Sequence, residues 1–207
     1  MKKYGTLDFW SLGFVIISAF FMMSCNDEEN GNIQEASIMT QTEKDALVFM
    51  IEEEKLARDV YAYLYELWDV IQFQNIKISE QSHMDAVEGL LKLYEMDYVI
   101  MQGGAFQNTE LQSIYDNLIT KGKISLIDAL TVGAIIEDLD IKDLEDWKLK
   151  IDNIEINNVF ASLQCGSRNH LRAFSNSLEN QGVSYTPQYI TQTEYEQIIN
   201  SNNEQCN

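Results

Sequence analysis

A single proline, Pro187, occurs among the 207 residues, so most of the chain can form long helices without interruption. Apolar residues recur at intervals of three and four in four long segments, which is the period of a helix packed on one side. These segments begin near Thr42, Ile71, Ser125 and Asp152. Two shorter helices are predicted from Thr109 and near Thr193, and no segment alternates as a strand does. The sequence therefore predicts an all-α protein.

The connections between the four long helices predict how they are arranged. Short turns are expected at residues 68–69 and 152–153, whereas about 28 residues, 97–124, separate the second long helix from the third. Two short connections on either side of one long crossover are the arrangement of a ferritin-like four-helix bundle. We expect such a bundle over residues 42–200, ending in a short helix and followed by a tail of residues 201–207.

Each apolar stripe is interrupted near its middle by side chains that can bind a metal ion. The interrupting residues are Glu54, Glu80, His83, Glu137, Asp140 and His170. The two on the second helix are three residues apart, as are the two on the third, so each pair points the same way. A carboxylate buried alone is costly, and several in one core require a compensating cation or shared protons. The pattern therefore predicts a metal centre inside the bundle.

The predicted turns bring these residues to one depth. Glu54 and Glu80 each lie about 13 residues from the first turn, so they are level in an antiparallel pair of helices. Glu137 and Ser167 are equally distant from the turn at residue 152. Both pairs of helices therefore place their polar residues at a comparable depth, which favours one shared site over scattered buried charges.

The same residues resemble a known class of metal protein. Ferritin-like di-metal carboxylate proteins use one Glu from each of two helices and a Glu-x-x-His pair from each of the other two. Glu54 and Glu137 resemble the single glutamates, and the segment from Glu80 to His83 resembles one of the pairs. The spacing from Glu54 to Tyr61 is similar to that of rubrerythrin-like proteins. The resemblance implies one or two bound metal ions, iron above all, and oxidase- or peroxidase-type redox chemistry.

Longer stretches resemble one narrower family, an uncharacterised bacterial ferritin-like domain of unknown function. The stretches are residues 52–61, 79–87, 166–174 and 185–189. The resemblance covers roughly residues 42–200 and implies the fold, but the family has no settled activity.

One position departs from the ferritin-like pattern, because the second Glu-x-x-His would need a glutamate where Ser167 stands. The resemblance therefore implies the metal ligands Glu54, Glu80, His83, Glu137 and His170. Asp140 is either a substitute for the missing carboxylate or a surface residue. The residues expected to contact the ligands rather than the metal are Tyr61, Ser167 and Arg168. Glu52 and Glu53 are expected to face solvent.

A second function stays open, that of a non-catalytic envelope binding or scaffold protein with a degenerate, metal-free ferritin-like core. In that case the core carboxylates would pair with Lys55, Arg58 or Arg168 instead of a metal ion. The two hypotheses differ in a measurable way, because only the first predicts stoichiometric metal.

Residues 1–24 are typical of a signal peptide. Two lysines precede an apolar run of 15 residues, 9–23, which is short for a helix that spans a bilayer. Residues 22–25 resemble a relaxed bacterial lipobox, in which Cys25 would carry a lipid; the alternative is a plain secretory signal with a chance cysteine. The acidic tether that follows, residues 25–41, resembles the surface-export signals of Bacteroidetes lipoproteins. This implies a bacterial outer-membrane lipoprotein that faces either the periplasm or the exterior.

Cys165 and Cys206 form an even pair once Cys25 carries a lipid. In an oxidising compartment they would either form a disulfide or stay as free thiols, and the sequence does not decide between the two. A disulfide would join the tail to the bundle.

The charge balance limits the partners. Asp and Glu number 33 against 14 Lys and Arg, so the formal net charge is −19. Nucleic-acid binding is not expected, because phosphate contacts need basic patches and none is visible. The expected partner is the membrane, through a lipid on Cys25, and the sequence leaves open whether the chain is a monomer or a homodimer.

Overall fold

The computed structural model describes residues 39–206, so the predicted signal peptide, Cys25 and most of the tether lie outside the described residues. Six helices and no strand occur within residues 39–206, which confirms the all-α prediction. The helices are α1 (Gln41–Trp68), α2 (Ile71–Leu93), α3 (Thr109–Gly122), α4 (Leu126–Lys148), α5 (Ile154–Asn180) and α6 (Gln192–Ile199). None of these six is long and apolar enough to cross a bilayer.

The four long helices pack as two antiparallel pairs. Helix α1 lies along α2 and α4 lies along α5, and the pairs meet through contacts of α1 with α4 and of α2 with α5. The predicted turn between α1 and α2 is present, with Asp69 in the left-handed conformation (φ 51°) that ends α1. The long crossover contains α3, which packs on α1 and α4, and the C-terminal helix α6 packs on α5.

The helices begin within two residues of the expected positions. Helix α1 is capped by Thr40, not Thr42, because the Thr40 hydroxyl accepts a hydrogen bond from the Glu43 amide while the Glu43 carboxylate reaches back to the Thr40 amide. The other observed caps are Asn108, Ser125, Asn153 and Thr191. Among these the cap at Ser125 is the one predicted, and each miss reflects a neighbouring side chain that can cap equally well.

The apolar core is divided into two clusters, one toward each end of the long helices. One cluster surrounds Tyr61, Phe73 and Phe174, and the other surrounds Met50 and Phe160. Between them α1 carries four charged residues in succession, and α5 carries mostly polar residues from 164 to 170. The polar residues predicted to interrupt the apolar stripes therefore lie in the gap between two apolar clusters.

Buried acidic side chains hold the crossover against α1. The Glu52 carboxylate accepts hydrogen bonds from the amides of Gln107 and Asn108 at 2.6 and 2.7 Å, just before α3 begins. The Asp59 carboxylate accepts from the Gly104 amide at 2.9 Å. The expectation that Glu52 faces solvent was wrong, because the crossover covers that face of α1.

The loop between α5 and α6 depends on Asp138, a fully buried residue of α4. Its carboxylate accepts hydrogen bonds from the Tyr185 hydroxyl and from the amides of Gln188, Tyr189 and Ile190. Four donors on one carboxylate fix this loop without any regular secondary structure.

The C-terminal tail is held against α5. Cys165 and Cys206 form a disulfide, which decides between the two alternatives that the sequence left open. Beside it the Glu204 carboxylate accepts hydrogen bonds from Arg168 and from Arg172, and these two guanidinium groups lower the pKa of Glu204 to about 2. Arg168, expected beside the metal ligands, instead pairs with the tail, because a carboxylate is available there at hydrogen-bonding distance.

Replacing Asp138 by Asn should lower the free energy of unfolding by about 3 kcal/mol, because the new amide would point its own N–H groups at donors. Urea denaturation of the purified chain measures this loss. Asp116→Asn is the matched control, since Asp116 is exposed on α3, and its effect should stay within about 0.5 kcal/mol. Equal losses in the two variants would contradict the role of Asp138.

Candidate metal centre

All six residues predicted to interrupt the apolar stripes meet in one layer, which we call the polar layer. Its members are Glu54 of α1, Glu80 and His83 of α2, Glu137 and Asp140 of α4, and His170 of α5. The four carboxylates are at most 5% exposed, and the two imidazoles are 12% exposed. Four helices thus contribute to one buried cluster at the depth that the turns predicted.

The polar layer contains two groups of possible ligands that share Glu80. Glu54, Glu80 and His83 form one group, and Glu80, Glu137 and His170 form the other, with the ligand atoms of each group within 4.8 Å of one another. One oxygen of Glu80 lies 2.8 Å from His83 Nδ1, and the other lies 2.8 Å from His170 Nδ1. A single carboxylate therefore faces both imidazoles, one oxygen to each.

A second carboxylate, which we call the outer carboxylate, completes each group. Glu54 Oε2 lies 3.1 Å from His83 Nδ1, and Glu137 Oε2 lies 3.4 Å from His170 Nδ1. The His83 and His170 rings are nearly parallel, with centroids 5.7 Å apart. The two groups are therefore similar in composition, each with one outer carboxylate, one imidazole and a share of Glu80.

Asp140 is buried in the layer and is not a surface residue. It belongs to neither of the two groups, and the Ser167 hydroxyl donates a hydrogen bond to its Oδ2. Ser167, which stands where the ferritin-like pattern has a glutamate, therefore contacts a carboxylate from the facing helix. The other Asp140 oxygen, Oδ1, is buried without a hydrogen-bond partner.

Tyr61 contacts the layer from the apolar cluster beside it. Its hydroxyl donates to Glu137 and lies 3.3 Å from the carbonyl oxygen of Gly133. Burial and the nearby Glu137 carboxylate raise the pKa of Tyr61 well above its ordinary value, so the phenol keeps its proton and remains a donor. The expected contact of Tyr61 with a ligand residue is thus present in the structure.

A glycine on α5 makes room for His83. A Cβ atom at Gly166 would lie 2.6 Å from His83 Nε2, far inside a normal contact distance. The opposite side of the same ring faces Glu54 and Glu80, so the imidazole is held between the α5 backbone and two carboxylates. A glycine inside a helix is intrinsically unfavourable, and this was the sequence signal that could have identified Gly166.

The pKa values in the polar layer show that its carboxyl groups have too few positive charges beside them. Burial raises the pKa of Glu54 to about 7 and also raises the pKa values of Glu137 and Asp140. Burial alone would lower the pKa of His170, but Glu80 and Glu137 raise it to about 10. Burial likewise opposes the charge of Glu80, yet His83 and His170 prevail and lower its pKa.

Lysine and arginine do not neutralise the layer within residues 39–206. Lys55 and Arg58 bind Asp59, and Arg168 binds Glu204. The pairing that a metal-free core would require is therefore not formed by these three basic residues. The oxygens Glu54 Oε1 and Asp140 Oδ1 are buried without hydrogen-bond partners. Unpartnered carboxylate oxygens in a dry core are the donors that metal cations bind, so the layer fits such ions.

Sequence reasoning missed Glu53, which was expected to face solvent. Its side chain is 3% exposed, and neither carboxylate oxygen has a hydrogen-bond partner of normal geometry. Burial and the nearby Asp140 and Asp143 raise its pKa well above the ordinary value. Glu53 therefore extends the buried acidic region beyond the residues on the apolar stripe.

Comparison with known proteins identifies relatives of this chain. Residues 43–202 match the sequence profile of the uncharacterized protein domain DUF2202. The uncharacterized protein MJ0754 of the archaeon Methanocaldococcus jannaschii is 51% identical over 168 residues, which are 80% of this chain and 91% of the relative. The crystal structure of the hypothetical protein MJ0754 superposes with a TM-score of 0.79 at 50% identity, covering 80% of this chain and 96% of that one. The expectation of a bacterial family was therefore too narrow.

Replacing Gly166 by Ala should destabilise the protein by about 1–3 kcal/mol, because the added Cβ would push the His83 ring against Glu54 and Glu80. Helix propensity alone predicts the opposite sign, a gain of about 1 kcal/mol. Gly89→Ala is the control, since Gly89 lies inside α2 and a Cβ atom added there would have no other atom within 4 Å, and it should show that gain. Urea denaturation measures both variants, and a gain at Gly166 would disprove its contact with His83.

Proposed function

The chain belongs to the DUF2202 family, and from that premise and the polar layer we propose that it is a ferritin-like four-helix-bundle protein that binds two metal ions, iron above all. The observation that carries the proposal is Glu80, whose two oxygens each face a histidine in a separate group of ligands. One carboxylate shared between two similar groups is the arrangement expected of a bridged pair of ions.

The two groups of possible ligands correspond to two ion positions. Glu54 and His83 would hold one ion, Glu137 and His170 would hold the other, and Glu80 would bridge them. Asp140 lies outside both groups and supplies a fourth carboxylate beside them. Four carboxylates balance the charge of two divalent cations, which explains why burial without cations raises most of their pKa values.

The donor set restricts the metal and its chemistry. Carboxylates and imidazoles suit iron and manganese. Cys165 lies near His170 in sequence but is held in a disulfide, so it does not offer a thiolate ligand. Iron bound in this layer would supply redox chemistry with dioxygen or peroxide. The two apolar clusters would exclude water from the site. The Tyr61 hydroxyl would keep its proton and donate it in a hydrogen bond to Glu137.

The proposal predicts how metal content depends on single residues. Chain purified from cells grown with iron should contain about two metal ions, and Glu80→Gln should lose both, because the shared ligand changes from a charged donor to a neutral amide. His83→Ala should weaken the affinity for the ion beside Glu54 more than that for the other ion, and His170→Ala should do the reverse. Elemental mass spectrometry and calorimetric titration with Fe²⁺ under anaerobic conditions measure these contents and affinities.

Asp85→Asn is the matched control for this experiment. Asp85 lies on α2 close to Glu80 in sequence but is exposed, so its loss changes the net charge equally without touching the layer. Full metal content in Glu80→Gln would refute the site. Absence of metal from the wild-type chain, with no change in melting temperature on adding Fe²⁺, would instead support the non-catalytic binding or scaffold role.

We also propose that the mature protein begins at Cys25 and is anchored by lipid in a bacterial outer membrane. The support is the sequence alone: the charged and apolar parts of residues 1–24, and the small residue before Cys25. The acidic tether, residues 25–41, would separate the bundle from the bilayer.

Replacing Cys25 by Ser should release the protein from the membrane, because the lipid would lose its thiol attachment. Fractionation of bacteria expressing the full chain, followed by labelling with a fatty-acid analogue, measures this change. Cys165→Ser with Cys206→Ser is the control, since it removes thiols without touching the signal. Label that persists in Cys25→Ser would disprove the anchor.

A further inference from the structure

Glu53 is a buried carboxyl group that neither the fold nor the proposed metal pair uses. It lies beside Glu54 on α1, is 3% exposed, and has no hydrogen-bond partner of normal geometry for either oxygen. Glu53 differs in this respect from the carboxylates that hold the loops, because Glu52 and Asp138 each accept hydrogen bonds from backbone amides. A carboxyl group without such donors needs a proton or a cation, so a cation that reaches Glu53 would meet two oxygens without hydrogen-bond partners.

Glu53 interacts with Asp143 and Asp140, and of these three acidic residues only Asp143, which marks the outer end of the group, is partly exposed. Asp143, half-buried on α4, is adjacent to Glu53, and Asp140 lies one helical turn before Asp143 on the same helix. Asp140 in turn interacts with Glu54 and Glu137 of the polar layer. The exposed residue Tyr189 lies at the outer end, within reach of the charges of Glu53 and Asp143.

The two lysines near Asp143 contact other side chains. Lys142 and Lys150 both influence Asp143. Lys142 binds Asp146, and the Lys150 ammonium lies over the Trp147 ring, 4.8 Å from its centroid. The carboxylates of Glu53 and Asp140 therefore have no lysine or arginine partner within the described chain. Hard divalent cations prefer oxygen donors of this kind.

We propose that Asp143 and Glu53 form a path by which divalent cations reach the metal centre, with Asp140 as the last carboxylate before the ligands. This inference rests on the proposed metal centre, because a path needs a destination. Each carboxylate would replace part of the hydration shell of the cation as it leaves water, which lowers the barrier to entering a dry core. The residues of the path act on the rate of loading and leave the final occupancy unchanged.

The test compares loading rates in full chains stripped of metal by a chelator. Co²⁺ is added in a stopped-flow instrument, and its visible absorption reports binding to carboxylate and imidazole ligands. Glu53→Gln and Asp143→Asn should each slow loading about tenfold, the lower end of the effect of focused charge on association. Both should reach the wild-type stoichiometry. Asp146→Asn, which removes an equal charge from the same helix outside the path, should stay within about twofold of wild type.

Three outcomes separate this inference from the proposed function. Wild-type chain that takes up no Co²⁺ would remove the metal centre, and the path with it. Wild-type chain that loads normally, with Glu53→Gln and Asp143→Asn as fast as Asp146→Asn, would overturn the path and leave the centre intact. A lower final stoichiometry in both variants, with unchanged melting temperatures, would show that these carboxylates are ligands and would also overturn the path. Asp143→Asn keeps the test valid if Glu53→Gln fails to fold, since Asp143 is only half-buried.

Discussion

The burial of charge between two apolar clusters is the constraint on which this structure depends. Transferring a carboxylate from water into a protein core costs several kcal/mol unless cations or hydrogen-bond donors compensate its charge. Here four carboxylates and two imidazoles share one layer, and apolar side chains close it off on both sides. The antiparallel pairing of the long helices has to bring these residues level, because any shift along a helix would leave a charge facing an apolar cluster.

The buried carboxylates of this protein fall into two classes that burial alone does not separate. Glu52, Asp59 and Asp138 accept hydrogen bonds from backbone amides, and each fixes an irregular segment against a helix. Glu54 and Glu80 instead face imidazoles, and Glu54 also keeps one oxygen without a partner. The first class is explained completely by the fold. The fold alone does not explain the second class, whereas a bound cation would, and the metal centre is therefore the functional proposal that the structure supports best.

The sequence predicted the features that depend on helical periodicity and failed where a third surface covers a helix. The spacing of Glu80 and His83 and the position of the turns were enough to bring the layer together. Glu52 and Glu53 were expected in solvent, because a helical period indicates one buried face. In the structure every residue from 50 to 57 is buried, since α2, α4 and the crossover with α3 all pack on α1. A period of 3.6 residues cannot reveal a helix that is covered all round.

The position of Arg168 could not be predicted for a different reason. Its partner Glu204 lies 36 residues away in a tail that has no regular structure after α6. That tail lies on α5 through the disulfide between Cys165 and Cys206, and the sequence left the state of these cysteines open. Contacts of this kind depend on covalent chemistry and on the path of an irregular segment, and neither leaves a periodic pattern.

One turn of α1 connects the parts of the molecule that the periodic pattern treated as separate. Glu52 binds the amides at the start of α3, Glu53 faces α4, and Glu54 belongs to the polar layer. Lys55 completes the turn by binding Asp59 and the Ala105 carbonyl oxygen in the crossover. A cation bound at Glu54 would stabilise only the native arrangement of this turn, so its binding free energy would add to the stability of the crossover as well as the core. The crossover and the proposed metal centre would therefore form one thermodynamic unit, although they are distant in the sequence.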